Sequence, residues 1–357
     1  MTDPQMMEAI KNKDIDSVSS IIKSGIDLNL RTPGSVTYLN QVWCGYSDYD
    51  FEMVKLLIEN GAYLNDPAYP AIVCASSRGR VEEIEYVLER GANINAITHV
   101  GTSALWQASY HGYLDVIKFL LQAGLDINQH GGHAVQIASS NGNLEVVQLL
   151  VAEQANINYQ VFDRNKQDLS STPLHKSALF GHLEIMRFLL ENGANPVLKD
   201  YYGYRPYTLV KKRKNKDAMD LIASYEPKEL HDLEKRADEL KKRGLPTAIL
   251  KDLGEVRKRI DLSGSNYMNF IEYCSIEDVT EMDLNGVAML NLLFDTDAYD
   301  ALGFLVWVPS RKVLASYDVE HEKLVILSDT TWKGFRKSPS VFIDRVLNGE
   351  YDEIFGN

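Results

Sequence analysis

One phrase keeps returning along the first two thirds of this chain: an apolar pair, a short gap, Gly, and an Asn a few residues on. It reads IIKSGIDLN at 21–29, LLIENGAYLN at 56–65, VLERGANIN at 87–95, LLQAGLDIN at 120–128 and LLENGANP at 189–196. A degenerate copy, LLVAEQANIN, covers 149–158. With Gly25, Gly61, Gly91, Gly124, Gln154 and Gly193 as marks, the steps are 36, 30, 33, 30 and 39 residues. A period near 33 residues implies a stack of small units. Each carries two short helices whose apolar faces are buried only by neighbours. In Leu114–Leu121 the apolar residues fall at helical spacing. Gly124 then stands where the helix ends and the backbone needs a positive φ, which glycine adopts without a Cβ penalty. Gln154 lacks that freedom, so its turn is predicted to be strained or rearranged.

The other half of each unit agrees. Thr172-Pro173-Leu174-His175, followed by Gly181-His182, aligns with SALWQASYHG at 103–112, HAVQIASSNG at 133–142 and PAIVCASSRG at 70–79. These residues resemble the ankyrin-repeat family across roughly 3–224. The resemblance implies an α-solenoid of about six repeats plus a C-terminal capping repeat. The first copy, 3–31, is polar and has Lys13 where inner repeats have Gly, and the last, 200–224, is also atypical. The 39-residue step holds a mostly polar insertion, Phe162–Ser171, expected as an exposed loop.

The family binds other proteins through its concave face. Carried over, the partner-binding candidates just before each internal Gly are Asp48, Arg78, Tyr110, His111, Asn141, Leu179 and Phe180. The expected turn tips add His99, His130, Tyr201, Tyr202 and Tyr204. The aromatic members are the anchors to expect, since aromatics are enriched at interface hot spots.

Beyond Tyr225 the period changes, which places a domain of 225–357 after one of 1–224. Pro227–Arg243 is a charged helix ended by Gly244 and Pro246, and a second is expected over Thr247–Arg259. Tyr267–Tyr273, Val287–Phe294, Gly303–Val308, Val313–Tyr317 and Lys323–Leu327 read as strands, the last three as a meander. Ser340–Leu347 is a closing helix. The expectation is a small α+β domain with an antiparallel sheet. Gly303–Trp307, Ala315–Asp318 and the closing Ser338–Leu347 resemble the SUKH superfamily over about 245–350. That resemblance implies an immunity protein that neutralises a bacterial toxin by binding.

Thirty-seven Lys+Arg against 50 Asp+Glu give a net charge of −13. That argues against tracking nucleic-acid phosphates and suits a basic partner. Three cysteines, Cys44, Cys74 and Cys274, without a C-x-x-C spacing, argue against a disulfide framework or a Cys-rich zinc site. With no secretory pattern and no apolar run long enough to cross a bilayer, the expected location is cytoplasmic.

Candidate chemistry is sparse. His130-Gly-Gly-His133 offers a metal pair, but a tip turn is the simpler account. His175 and His182 fit turn and helix hydrogen bonding. Asp318–Glu322 reads as a solvated hairpin tip, and Asp295, Asp297 and Asp300 lack the Gly and closing Glu of a calcium loop. No P-loop, G-x-G-x-x-G or G-x-S-x-G occurs. Lys211–Lys216 is the one basic run, expected as a solvated turn. The sequence thus points to a non-catalytic protein-binding protein without cofactor or metal, its partner a toxin, a basic one on charge grounds. A general scaffold or host-directed effector, and an enzyme in the C-terminal domain, are the alternatives.

Overall fold

Helices come in pairs through the first half because each repeat supplies two amphipathic stretches too short to stand alone. The pairs are α1 (Pro4–Lys11) with α2 (Ile15–Lys23), α3 (Tyr38–Gly45) with α4 (Phe51–Glu59), and α5 (Ala71–Ser76) with α6 (Val81–Glu89). They continue as α7 (Ala104–His111) with α8 (Leu114–Gln122), α9 (Ile127–Asn141) with α10 (Leu144–Ala152), and α11 (Pro173–Phe180) with α12 (Leu183–Glu191). The computed structural model describes residues 4–31, 36–45, 50–161, 170–201, 203–254, 257–284, 286–298, 303–318, 321–351 and 353–355. By its contacts the chain divides into two units, Met1–Ala194 and Asn195–Asn357.

In the first unit α5, α7, α9 and α11 pack extensively on one another, while the second helices α6, α8, α10 and α12 touch less. The first helices are therefore the inner, more closely spaced row. Val54, Leu57, Ile84, Leu105, Ile117, Leu120, Val147, Leu150 and Leu189 are buried between them. The repeated Gly marks Gly25, Gly61, Gly91, Gly124 and Gly193 all have φ near +90°. Gln154 keeps the same left-handed turn at φ 67°, so the turn is strained rather than rearranged; Lys13, at φ 55°, does so between α1 and α2, where inner repeats have glycine.

The recurring Asn also has a structural reason. Asn29 donates from Nδ2 to Gly61 O and accepts from Tyr63 N, and Asn65 does the same with Gly91 O and Asn93 N. Asn158 donates to Gly193 O, and Asn95 accepts from Asp126 N. Each Asn thus satisfies exposed backbone groups of the next repeat.

Step length decides what lies between pairs. The 33-residue step from Gly91 to Gly124 contains a hairpin: Ile97 pairs with Ser103, and Thr98 N donates to Thr102 O. The 30-residue step from Gly124 to Gln154 lacks the three residues a hairpin needs. There the chain runs straight into α9, capped by the Asp126 side chain accepting from Asn128 N. This corrects the expected tip turn at 130–133. His130 is helical and only 4% exposed rather than at a tip. Most of the insertion, 162–169, lies outside the described residues, and Ser170 at its end is buried.

The second unit starts with α13 (Pro206–Lys212) and α14 (Lys216–Tyr225), the helix pair that sequence alone assigns to the last repeat. Next come a 3-10 turn at Lys228–His231, α15 (Leu233–Lys242) and α16 (Thr247–Leu253). The strands are β1 (Lys258–Asp261), β2 (Phe270–Tyr273), β3 (Glu281–Leu284), β4 (Val287–Asn291), β5 (Leu293–Thr296), β6 (Val306–Val308), β7 (Val313–Asp318) and β8 (Lys323–Ile326). Helices α17 (Trp332–Lys337) and α18 (Pro339–Leu347) and strand β9 (Glu353–Phe355) close the chain.

A three-stranded sheet has the order β1-β2-β5, and a six-stranded one β3-β4-β6-β7-β8-β9, all pairs antiparallel. The β6-β7-β8 meander is as expected. The helix expected to run to Arg259 ends at Leu253, and 258–261 is strand. Leu250, Leu253, Ile271, Leu290, Leu314, Trp332, Phe335 and Ile343 form the core against α15–α18.

The basic run is not a solvated turn at its start. Lys211 Nζ lies 2.5 Å from Glu277 and 3.5 Å from Asp278, and Lys212 lies 3.1 Å from Asp295. The network continues from Arg257 on Asp278 at 2.7 Å to His231 between Glu277 (3.1 Å) and Glu226 (2.9 Å), and to Arg205 on Glu226 at 2.7 Å. Alternating charges tie α13 and α14 to the 3-10 turn at Ile276–Asp278.

Candidate protein-binding surface

The inner helices end at equivalent places. Gly112, Gly142 and Gly181 cap α7, α9 and α11 in the left-handed conformation, and Gly79 has the same sign of φ after α5. The residues before these glycines therefore project from the same edge of successive repeats. Tyr110 is 44% exposed, Leu179 41% and Phe180 50%. His111 and Asn141 are exposed, and Arg78 is half-buried with its guanidinium donating to Trp43 O. Asn141 Nδ2 donates to Tyr110 O at 2.9 Å, so it braces the neighbouring repeat. His99 is exposed on the 97–103 hairpin.

Two candidates sit elsewhere. Tyr201 and Tyr204 belong to the second unit, where the Tyr204 ring lies 6.0 Å from Phe294 and its N–H bonds Asp200 Oδ1. Asp48 and Tyr202 lie outside the described residues.

The structure adds residues that the sequence reading missed. Trp106 lies one turn before Tyr110 and stacks on it, with centroids 5.3 Å apart and planes 11° apart. Trp106 also meets His133 at 5.9 Å, and His133 stacks on Tyr159 at 6.2 Å. Four rings thus run from one repeat to the next but one. His111 sits edge-on to Tyr110 and stacks on Tyr113. Burial pushes the His111 imidazole below its ordinary pKa and the Tyr159 phenol above its own. The i,i+4 spacing of Trp106 and Tyr110 was the available signal.

Glycines make the row possible. A Cβ on Gly131 would fall 2.8 Å from Ala155 Cβ, and one on Gly132 would strike Tyr159. The backbone of α9 can therefore lie directly against the turn carrying Tyr159.

The other histidines are structural. His175 completes a capping box with Thr172, and His182 Nε2 lies 3.0 Å from Ser140 O. Asp318 sits 2.8 Å from His321 at the exposed turn between β7 and β8. Among the described residues no group of three or more His, Cys, Asp or Glu is placed to hold a metal. No helix among them is long and apolar enough to cross a membrane.

With this geometry in place, the comparisons are direct. Residues 42–131 and 128–200 match the family model for ankyrin repeats (3 copies). Ankyrin repeats form the N-terminal part of this chain. The chain is 32% identical over 176 residues to ankyrin repeat and KH domain-containing protein mask-1 of Caenorhabditis elegans, covering 48% of this chain and 6% of that protein. It is 27% identical over 173 residues to the putative ankyrin repeat protein FPV031 of fowlpox virus, covering 45% and 50%. Against the probable E3 ubiquitin-protein ligase XBOS32 of Oryza sativa it is 26% identical over 151 residues, covering 34% and 30%. The chain thus spans half or less of the curated relatives it matches. Ankyrin repeats point to protein–protein interaction.

Proposed function

We propose that the chain is a non-catalytic protein-binding protein whose inner-helix face seats a protein partner. The exposure pattern carries this reading. Among the described residues of the first unit, seven large apolar side chains are exposed: Ile97, Val100, Tyr110, Leu179 and Phe180 on the hairpin and inner-helix ends, and Leu30 and Tyr63 on the turns after α2 and α4; the outer helices themselves expose none. Clustered exposed aromatics next to a rigid stack are what an interface anchor needs. A cytoplasmic setting belongs to the same proposal, as does the reading of 1–224 as the repeat-bearing stretch and 225–357 as the rest, a division by sequence pattern that does not coincide with the compact units Met1–Ala194 and Asn195–Asn357.

The finer reading makes the partner a toxin neutralised by occlusion. It rests on the SUKH resemblance of 245–350, and the net charge of −13 would speed the approach of a basic toxin. A toxin gene immediately upstream of the coding sequence would favour it over a general scaffold.

The test is affinity capture from the native cell, with the bound protein identified by mass and its affinity measured by calorimetry. The Tyr110→Ala/Phe180→Ala double variant should bind ~2–4 kcal/mol more weakly if both are hot spots. A partner that binds the variant as tightly as the wild type removes these residues from the interface.

A further inference from the structure

The acidic residues of this chain avoid one face. Segments 71–79, 97–112, 127–142 and 172–181, which hold the inner helices α5, α7, α9 and α11, their C-terminal glycines and the 97–103 hairpin, contain no Asp or Glu in a protein with 50 of them; Asp126, the exposed N-cap of α9, stands at the opposite end of that helix. Their only Lys and Arg are Arg78, turned back onto Trp43 O, and Lys176, which is buried. The outer helices carry the charge: Glu82, Glu83, Glu85 and Glu89 on α6, Asp115 on α8, Glu145 on α10, and Glu184 and Glu191 on α12.

We infer that the inner face takes an extended, uncharged segment of a partner protein, rich in aromatic or aliphatic side chains. The inference deepens the proposed function and rests on it. A basic segment lying along α5, α7, α9 and α11 would find no carboxylate on the helices themselves to pair with, Asp126 standing only at the N-terminal end of α9, and would lose hydration there without return. An acidic one would find no Lys or Arg on these segments except Arg78, turned back onto Trp43 O, and buried Lys176, and would approach through a field set by the acidic outer helices. An apolar segment loses nothing and covers Tyr110, Leu179 and Phe180. The partly exposed Gln107 and Ser140 side chains are available to its backbone, whereas Tyr110 O and Ser140 O are already bonded by Asn141 and His182. Long-range charge can still set how fast an oppositely charged partner arrives, but the contact itself is neutral.

The experiment uses phage-displayed random dodecapeptides panned on the immobilised full-length protein, counter-selected on Tyr110→Ala/Phe180→Ala. Winning sequences are then synthesised, and their affinities measured by calorimetry at low (~50 mM) and high (~500 mM) salt, on either side of the Debye lengths that separate screened from unscreened charge. The expected winners carry aromatic or aliphatic residues and little net charge. Their affinity should change less than about twofold between the two salts and fall at least tenfold on the double variant. Winners with a charged consensus, or affinities that drop tenfold or more in salt, overturn the neutral-segment inference while leaving the face as a binding site. Winners that bind the variant as well as the wild type, or no enrichment over it, overturn the reading of the face itself. Circular dichroism of the variant confirms its fold, and a His99→Ala/His111→Ala variant tests the same face through two other exposed residues.

Discussion

Gly132 stands in the interior of α9, where Ala in place of Gly ordinarily gains about 1 kcal/mol of helix propensity. The structure reverses the sign. A Cβ there would lie 2.6 Å from Tyr159 Cβ and closer still to the ring. Because Tyr159 Cβ is fixed to its own backbone, rotating the ring does not clear the space. Either α9 or the turn at 155–159 has to move, and overpacking of this kind costs typically 1–3 kcal/mol. Tyr159 also carries the last ring of the Trp106–His133 row, so the shift spreads along it. The net expectation for Gly132→Ala is a loss of about 1–2 kcal/mol in urea unfolding followed by circular dichroism. In a Tyr159→Gly background the obstacle is gone, and the same substitution should become neutral or stabilising. A double-mutant cycle isolates that coupling. If Gly132→Ala raises the unfolding midpoint in the otherwise wild-type chain, the close approach of α9 to Tyr159 is wrong.

Three further outcomes follow from other sites. Gln154→Gly should stabilise by about 0.5–1 kcal/mol, since a left-handed non-Gly residue costs about 1–2 kcal/mol and Gly returns part of that as unfolded-state entropy; an unchanged or lower midpoint would argue against the strained turn. Lys211→Met should destabilise by about 2–4 kcal/mol, because it leaves Glu277 and Asp278 short of a buried cation, whereas Lys214→Met should cost little. For Asp278, burial pushes the carboxyl up, but the Arg257 hydrogen bonds and the nearby charges of Arg257 and Lys211 outweigh it and hold the pKa below the ordinary carboxylate value. Its ionised form is therefore stabilising above the unfolded pKa near 4, and that contribution is lost as pH falls through the lower folded pKa. Asp278→Asn should be clearly less stable than wild type at pH 7, and the gap should close in acid; a gap that widens on acidification would contradict the sign.

The repeat phase was readable because Gly and Asn do the same backbone work in most copies, with Gln154 in place of Gly in one. Asn29, Asn65 and Asn158 bond the next repeat's Gly carbonyl, so their spacing is the spacing of the units. The extended α9 was less readable. It follows from three missing residues, which the step length contains but the local sequence, with two adjacent glycines, disguises as a turn. Strands β1 and β3 escaped because both are sheet edges, and their sequences KRID and EMDL are too polar to show an apolar run. Among candidate site residues, Tyr110, Leu179 and Phe180 could be placed from the position of the following glycine alone. Tyr204 could not, because its neighbour Phe294 is 90 positions away in sequence. The same distance hid the partners of Lys211 and Lys212.

The ion network around Lys211 also bears on how this polypeptide can be divided for expression. A cut at 225, where the repeat pattern stops, would strip α13 and α14 of Glu277, Asp278 and Asp295 and leave Lys211 with its partners gone. It would equally remove Lys211 from the buried Asp278 on the other fragment. A boundary after Ala194 keeps every member of that salt-bridged seam on one piece.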